Sequence, residues 1–439
     1  MVILLIGNGF DLEHNLPTSY GSFLEFCQKT KRLFTALESD EDYQRDHLDN
    51  WTMDPSIKDR LLQAFQGRQL QKSEKNGTLC SEFTTQNMAL NELYLLIEDN
   101  AWLEYFQNAT SYIGENWIDF EAEISTVIKA LDVARFHVEK GDSVTNIEEH
   151  YAQTIVAIIK AAKKNLNLLN STNDIDCFSV FLNNELTRLT RALEIYIAEF
   201  IQKVPISKKN SEIKKINPDH VLSFNYSDTY ERIYGFEKNI EYSYIHGKAN
   251  VSNNLNTCNL VLGIDEYLDD DSKDTELAFL PFKKYYQRIF NFTDNSYLFW
   301  VNRIQKDYAE YIRKIELHRT GQPDPIRSLS WQKRYYIDRS SINFPIHTLY
   351  IFGHSLDVTD KDVLRQLICN DNVETKIFYY RKHEDDKMTL GKLVRNLVKV
   401  IGQEELIRRT GGPTKTIEFI PQSLHATDLS SRECIGQSI

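Results

Sequence analysis

Val2 to Ile6 form an unbroken apolar run that stops at Gly7. A run without polar alternation suits a central strand buried on both faces. Helical spacing replaces it between Tyr20 and about Leu37, where Phe23, Leu24, Phe26 and Cys27 recur and Thr18 and Ser19 are available as caps. Residues 38–84 are polar and weakly periodic, and read as loops with short helices. Amphipathic stretches follow at 85–108, 117–139, 145–168 and 178–203, broken by polar loops at Gly141–Asp142 and Asn170–Asp176.

Strand character returns at His220–Phe224, Ile240–Ile245 and Asn259–Ile264. A second helical segment, rich in Tyr and Phe, covers about 275–318. Beyond it the pattern alternates: a strand at Ile346–Phe352, a helix at Lys361–Cys369, a strand at Val373–Tyr380, a helix at 386–401 and a strand near Thr416–Ile420. Such alternation predicts an α/β fold, a doubly wound, mostly parallel sheet with helices on both faces. The expected units are an α/β domain from 1–37 plus 216–421 with a helical insert at 275–318, a helical insertion domain at 38–215, and a polar, frayed tail at 422–439.

Composition narrows the class. The chain has 439 residues, 41% hydrophobic, with a formal net charge of −12. That charge argues against broad adhesion to nucleic acid or anionic membranes, although a local basic groove stays open. The cluster Lys208–Lys215 ("KKNSEIKK") reads first as a solvated linker face. Six scattered cysteines contain no C-x-x-C pair, so neither a disulfide framework nor a structural zinc site is implied. No stretch approaches the roughly 18 apolar residues of a membrane span, and a soluble, cytoplasmic protein is expected.

Candidate chemistry gathers where strands end. "GNGFDLEHNLP" (Gly7–Pro17) follows the first strand with two glycines, an acid and a proline. A glycine-rich turn entering a helix lets backbone N–H groups approach a phosphate. This turn has Leu12 at the third glycine position of the dinucleotide fingerprint and lacks the G-K-[ST] of a P-loop. A tight turn with Asp11 as helix N-cap is the competing reading. Asn225 follows the strand His220–Phe224, and His246-Gly247 follows Ile240–Ile245. On parallel strands these fall on the ligand-binding carboxyl edge. A histidine there can act as general base, and an asparagine can hold a carboxamide or a water. Singly, Asn225 reads as a turn former and His246 as a buried structural imidazole. Gly353-His354-Ser355 follows a further strand and suits a second phosphate or a ribose, while Asp360 reads as an N-cap.

These residues carry a resemblance. "IGNGFDLEHNLPTSY", "NWIDFE" (Asn116–Glu121), "FNYSDT" and "FGHSLDVTD" resemble the AbiH family of phage abortive-infection proteins, from Ile3 to about Tyr380. More distantly, Gly7–Asp11 with Leu16-Pro17 resembles the sirtuin loop G-A-G-I-S-x-x-x-G-I-P. Asn225 resembles its T-N-Y-D or Q-N-I-D asparagine, His246-Gly247 its H-G, and Gly353-His354-Ser355-Leu356 its G-T-S-L. The resemblance implies a sirtuin-like sheet binding NAD across its switch point, with catalysis by Asn225 and His246. Gly7, Asn8, Gly9, Phe10, Asp11, Pro17, Asp228, Gly247, Gly353, His354 and Ser355 would contact the nucleotide, the first three glycine-loop residues through N–H groups on the pyrophosphate. Asn225 would orient water or the nicotinamide amide, and His246 would take a proton.

Departures from that pattern are Asp11 in place of a small hydroxyl residue, Asn15 in place of glycine, and an acid at Asp228, one residue late. Lacking a zinc ribbon, the chain is not expected to bind zinc or deacetylate proteins. In "NWIDFE", Asn116 reads as a helix cap, with Asp119 or Glu121 able to reach the pocket if the helical block folds over the sheet. Three functions follow: an antiphage effector that hydrolyses NAD, a non-catalytic nucleotide-binding sensor or scaffold, and a metal-dependent phosphodiesterase or nuclease. A nucleotide ligand is the expected partner, with a homo-oligomer or a partner defence protein left open and no membrane contact.

Overall fold

A computed structural model describes residues 1–34, 53–75, 78–113, 119–143, 147–165, 169–207, 209–235, 239–265, 277–320, 344–381, 383, 386–412 and 415–422. Its centre is a six-stranded sheet built from β1 (Val2–Ile6), β4 (His220–Ser223), β5 (Glu241–Tyr244), β6 (His347–Phe352), β7 (Val373–Tyr379) and β8 (Ile417–Pro421). A separate antiparallel hairpin, β2 (Gln69–Lys75) and β3 (Thr78–Thr84), lies outside it. Every pairing in the large sheet is parallel, in the order β5-β4-β1-β6-β7-β8. Counted along the chain, those six strands lie 3-2-1-4-5-6. That is the doubly wound order, with its switch point between β1 and β6.

Alternate residues of the buried strands feed two cores. Leu4, Ile6, Val221 and Phe352 pack on one face with Phe10 of α1 (Asn8–Glu13), Ile213 of α9 (Ser211–Lys215), and Tyr230, Ile233 and Tyr234 of α10 (Thr229–Tyr234). Ile3, Leu5, Leu222, Leu349 and Ile351 pack on the other with α12 (Tyr297–Thr320), α13 (Lys361–Ile368), α14 (Lys387–Ile401) and α15 (Gln403–Thr410).

A third core belongs to the helical block: α2 (Tyr20–Phe34), α3 (Pro55–Phe65), α4 (Met88–Ile97), α5 (Ala101–Ile113), α6 (Phe120–Glu139), α7 (Glu149–Ala161) and α8 (Thr172–Ile195). The last helix widens into a π-turn, Tyr196–Ile201. Although α2 is close in sequence to β1, its apolar stripe of Phe23, Leu24, Phe26 and Cys27 faces this helical core. Ser19 caps it as expected, accepting from the Ser22 N–H at 3.1 Å. Asp119, which caps α6 through the N–H groups of Glu121 and Ala122, does the work expected of Asn116, a residue outside the described ones.

Two elements differ from the sequence expectation. Asn259–Ile264 is not a strand; its one ladder contact is an isolated bridge from Ile264 to Lys283. The segment instead folds across the end of β5, with Val261 N–H donating to the His246 carbonyl at 2.9 Å. Leu262 and Ile264 pack in the helical core, which satisfies an apolar run as well as a sheet does. The β2–β3 hairpin falls where loops were expected.

The sharpest constraint lies at the switch point. Gly9 N–H donates to the Gly353 carbonyl at 2.8 Å, and Gly7 N–H to that of Phe352 at 3.1 Å. The loops leaving β1 and β6 therefore touch backbone to backbone. Gly353 has φ +68°, and a Cβ there would lie 2.2 Å from the Phe10 nitrogen. Gly412 has a similar φ of +67° but open space around it. Gly353→Ala should thus lose several kcal/mol or fail to accumulate as soluble protein, whereas Gly412→Ala pays only the left-handed backbone cost of about 1–2 kcal/mol. Equal losses of Tm in the two variants would refute the crossing.

Candidate functional site

The register of the sheet lines up its chemistry. Ile6 pairs with both Ser223 and Phe352, and Ser223 with Tyr244. Asn8, Asn225, His246 and His354 therefore each stand two residues past the same level of the sheet. The strands are short and the pairing is in step, so the local pattern "apolar strand, one residue, polar residue" repeats four times along one edge.

Bare backbone at Gly7 connects this row. A Cβ at Gly7 would meet His354 Cα at 2.8 Å and its Cδ2 at 3.0 Å. Without one, the His354 ring leans over β1 and reaches Phe224 at the end of β4, centroid to centroid 4.4 Å. The Phe224 ring also stands edge-on to His246 at 5.3 Å. Both imidazoles then converge on one buried carboxylate, Asp360. His246 Nε2 lies 3.2 Å from its Oδ1 and His354 Nε2 lies 3.4 Å from its Oδ2.

The tautomers follow from the other ring atoms. His354 Nδ1 accepts the Leu356 N–H at 2.9 Å, which puts its proton on Nε2, facing Asp360. His246 presents Nε2 to the same carboxylate, and its Nδ1 has no hydrogen-bond partner among the described residues. This is an imidazole oriented by an acid with its second nitrogen spare, the arrangement of a general base. Burial lowers the His246 pKa, and the nearby Lys284 ammonium lowers it further against the opposing pull of Asp360. Gly247 makes the following turn at φ +84°, hard against the Asn259 carbonyl.

A cation completes the cluster. Lys284 opens α11 (Lys284–Phe290), and its Nζ donates to Asp360 Oδ1 at 3.3 Å, Thr359 Oγ1 at 3.1 Å and Glu121 Oε2 at 2.8 Å. Although burial opposes its charge, Lys284, together with the two histidines, holds the Asp360 pKa well below the usual range. Glu121 goes the other way: burial raises it to about 7, Lys284 notwithstanding. Asp360 forgoes the capping bond its N-cap position on α13 offers, and Asp357 caps the preceding turn through Thr359 N–H.

A second polar group sits beside the first, joined through residues 224–227. Asp11 Oδ2 accepts the Ser227 hydroxyl at 2.6 Å, and Ser227 pairs with Thr229 at 2.9 Å. Among the described residues, Asp11 Oδ1 and both amide atoms of Asn225 are buried without a hydrogen bond of normal geometry, although the Asn225 amide lies close enough to Asp11 to pull its pKa down. Orphaned polar atoms of this kind are rare and costly in a folded chain.

Residues 3–380 match the family model described as bacteriophage abortive infection AbiH. The chain belongs to the AbiH family. Its role is accordingly antiphage abortive infection. Neither the curated proteins nor the solved structures include a match to the chain. No described helix of this AbiH protein is long and apolar enough to cross a membrane, and the described residues contain no group of three or more His, Cys, Asp or Glu side chains placed to hold a metal ion.

The remaining site candidates of the AbiH chain divide plainly. The N–H groups of Gly7 and Gly9 are spent on β6-loop carbonyls and are not open to a pyrophosphate. Asp11 is not an N-cap, since Gly7 occupies that position of α1 and Asp11 lies inside the helix. Phe10 is a core residue, its ring buried among His14, Tyr230, Tyr234 and Phe352, and so is closed to a ligand. Asn8 is exposed and accepts the Thr18 hydroxyl at 2.6 Å, while Pro17 offers its carbonyl to Tyr196 at 2.7 Å. Asp228 pairs with Arg232 at 3.0 Å. Ser355 is exposed, and its carbonyl accepts from Asn396. Asp360 and Lys284 were the members that the strand-end pattern did not single out. A depression of about 300 Å³ lined by Lys209, Ile213, Tyr230 and Tyr234 contains none of these groups.

Burial lifts the Asp11 pKa from 3.8 to about 6, against the hydrogen bonds of Ser227 and Thr229. A carboxyl with a raised folded-state pKa adds stability below its unfolded value and loses it as pH rises through the folded one. For Asp11 that window runs from about pH 4 to 6, with a loss on the order of 3 kcal/mol. Asp11→Asn keeps the Ser227 bond and removes the titration. The variant should melt with the wild type near pH 4 and above it at pH 7. A Tm difference that does not change with pH would contradict this account of Asp11.

Proposed function

We propose that this AbiH protein acts against phage by hydrolysing NAD, at the edge where β1, β4, β5 and β6 end. The observation that carries the reading is His246, oriented by Asp360 through Nε2 and spare at Nδ1 among the described residues, beside the buried Asn225 amide, which faces Asp11 without a hydrogen bond of normal geometry. A ligand over the carboxyl ends of β4 and β5, to one side of the backbone contact between the β1 and β6 loops, is in keeping with the parallel topology.

What the site offers suits the nicotinamide riboside end of the substrate. The Asn225 amide can pair with a carboxamide, and Asp11 Oδ1 can accept a ribose hydroxyl. The pyrophosphate finds no open glycine-loop amide at Gly7 or Gly9, so the dinucleotide's remaining half rests on other groups. In the reaction the bond from ribose C1′ to the nicotinamide nitrogen breaks, its electron pair leaving with neutral nicotinamide. Water adds at C1′ and gives its proton to His246 Nδ1. Asp360 holds the imidazole in place and stabilises the imidazolium that forms. Positive charge builds on the ribose in the transition state, as in glycoside hydrolysis. The ionised Asp360 favours it, while the Lys284 ammonium limits the net negative field.

Purified protein incubated with NAD should release nicotinamide and ADP-ribose, and His246→Ala should reduce the rate by about 10²–10⁴-fold, the worth of a general base. NAD left intact, with and without extract from infected cells, together with no saturable NAD binding by calorimetry, would sink the proposal. Saturable binding without product would instead favour a nucleotide sensor.

A further inference from the structure

Lys284 comes from an insert far in sequence from every strand, yet it is buried at the centre of the site. Its backbone is anchored, with its N–H donating to the Ile264 carbonyl at 2.8 Å. Its ammonium bridges two acids from different parts of the chain, Asp360 after β6 and Glu121 on the first turn of α6 in the helical block. Asp360 Oδ1 is thereby shared between Lys284 and His246, which leaves Oδ2 to His354. We infer that Lys284 is a positioning residue: held by Glu121, its ammonium fixes the Asp360 carboxylate against His246 and His354 and ties the site to the helical block.

A purely structural ion pair explains less. Burying an ammonium costs several kcal/mol unless its donors are all met, and an apolar side chain of the same length would avoid that cost. Here the three donors are met by Glu121, Thr359 and Asp360. Two of those acceptors flank or form the acid on which both imidazoles depend. Asp360 has also given up the cap bond its position offers, worth about 1 kcal/mol, to face the cluster. The helical block thus reaches His246 through two ion pairs in series.

This assignment deepens the NAD reading and shares its site, but it has a test of its own. The groups facing His246 are Asp360, His354, Tyr226 and, from α11, Lys284 and Arg288, with Glu121 behind Lys284. The His246 titration midpoint can be followed by NMR on selectively labelled histidine, assigned with His246→Asn. Lys284→Met should raise the midpoint by about one pH unit, a tenfold gain in proton affinity, because the cation leaves and Asp360 remains. Lys284→Arg should restore the wild-type midpoint. Lys284→Gln removes the same charge but keeps a hydrogen-bond donor, so it should also raise the midpoint, which keeps the assignment testable if the methionine variant does not fold. A midpoint unmoved or lowered in folded Lys284→Met or folded Lys284→Gln overturns it. Intact NAD with shifted midpoints leaves Lys284 in place and removes the NAD reading. Cleaved NAD with unmoved midpoints does the reverse.

Discussion

The contact between two loops without side chains governs the rest of this molecule. Gly7 and Gly9 after β1 lie directly on Gly353 after β6, joined by the bond from Gly9 N–H to the Gly353 carbonyl. The crevice that a doubly wound sheet ordinarily keeps open at its switch point is closed here by backbone. Closing it turns neighbouring side chains aside. Asp11 goes towards Ser227, while His354 crosses over β1 to Phe224 and Asp360. A glycine motif that reads as a phosphate cradle in the sequence is, in the fold, a device for bringing two strand ends within van der Waals contact.

Much of the architecture was legible because it rests on short-range signals. The apolar run Val2–Ile6, the strand His347–Phe352 and the amphipathic helix Lys361–Ile368 declare themselves by period and by flanking turn chemistry. Legible too was the row of strand-end residues Asn225, His246 and His354, since parallel strands of similar length end together. The segment Asn259–Ile264 was misread because an apolar run records burial and not the partner that provides it. The β2–β3 hairpin carried its signal in Asn76-Gly77, a dipeptide favoured in two-residue hairpin turns, among strands too polar to advertise themselves.

Asp360 and Lys284 were illegible for a different reason. An aspartate opening a helix has an ordinary local explanation as a cap, and nothing in "DVTDKDVL" says that Asp357 takes that work. A lysine ahead of a Tyr- and Phe-rich stretch has an equally ordinary one as a solvated flank. Lys284 acquires its role from Asp360 and Glu121, and Asp360 from Lys284, His246 and the nearer His354, so most of the partners lie far off in sequence. Charges that neutralise one another inside a fold leave no periodicity, and single-sequence reasoning sees only periodicity and punctuation.

The helical block is more than a shield for the sheet, because it holds each loop of the site by a polar contact. Tyr196, opening the π-turn, donates to the Pro17 carbonyl and so fixes the end of the first loop. Arg191 and Glu194 on α8 grip the stretch after His246: Arg191 donates to the carbonyls of Asn250 and Val251, and Glu194 accepts from Asn250 N–H and the Asn253 amide. Both side chains are fully buried and paired with each other at 2.7 Å, and Arg191 pairs with Glu92 as well, so loss of Arg191 would leave the buried Glu194 carboxylate uncompensated. Glu121 reaches the third loop through Lys284. A displacement of the block therefore has no route that spares the imidazoles. It must break a buried pair or carry the loops with it.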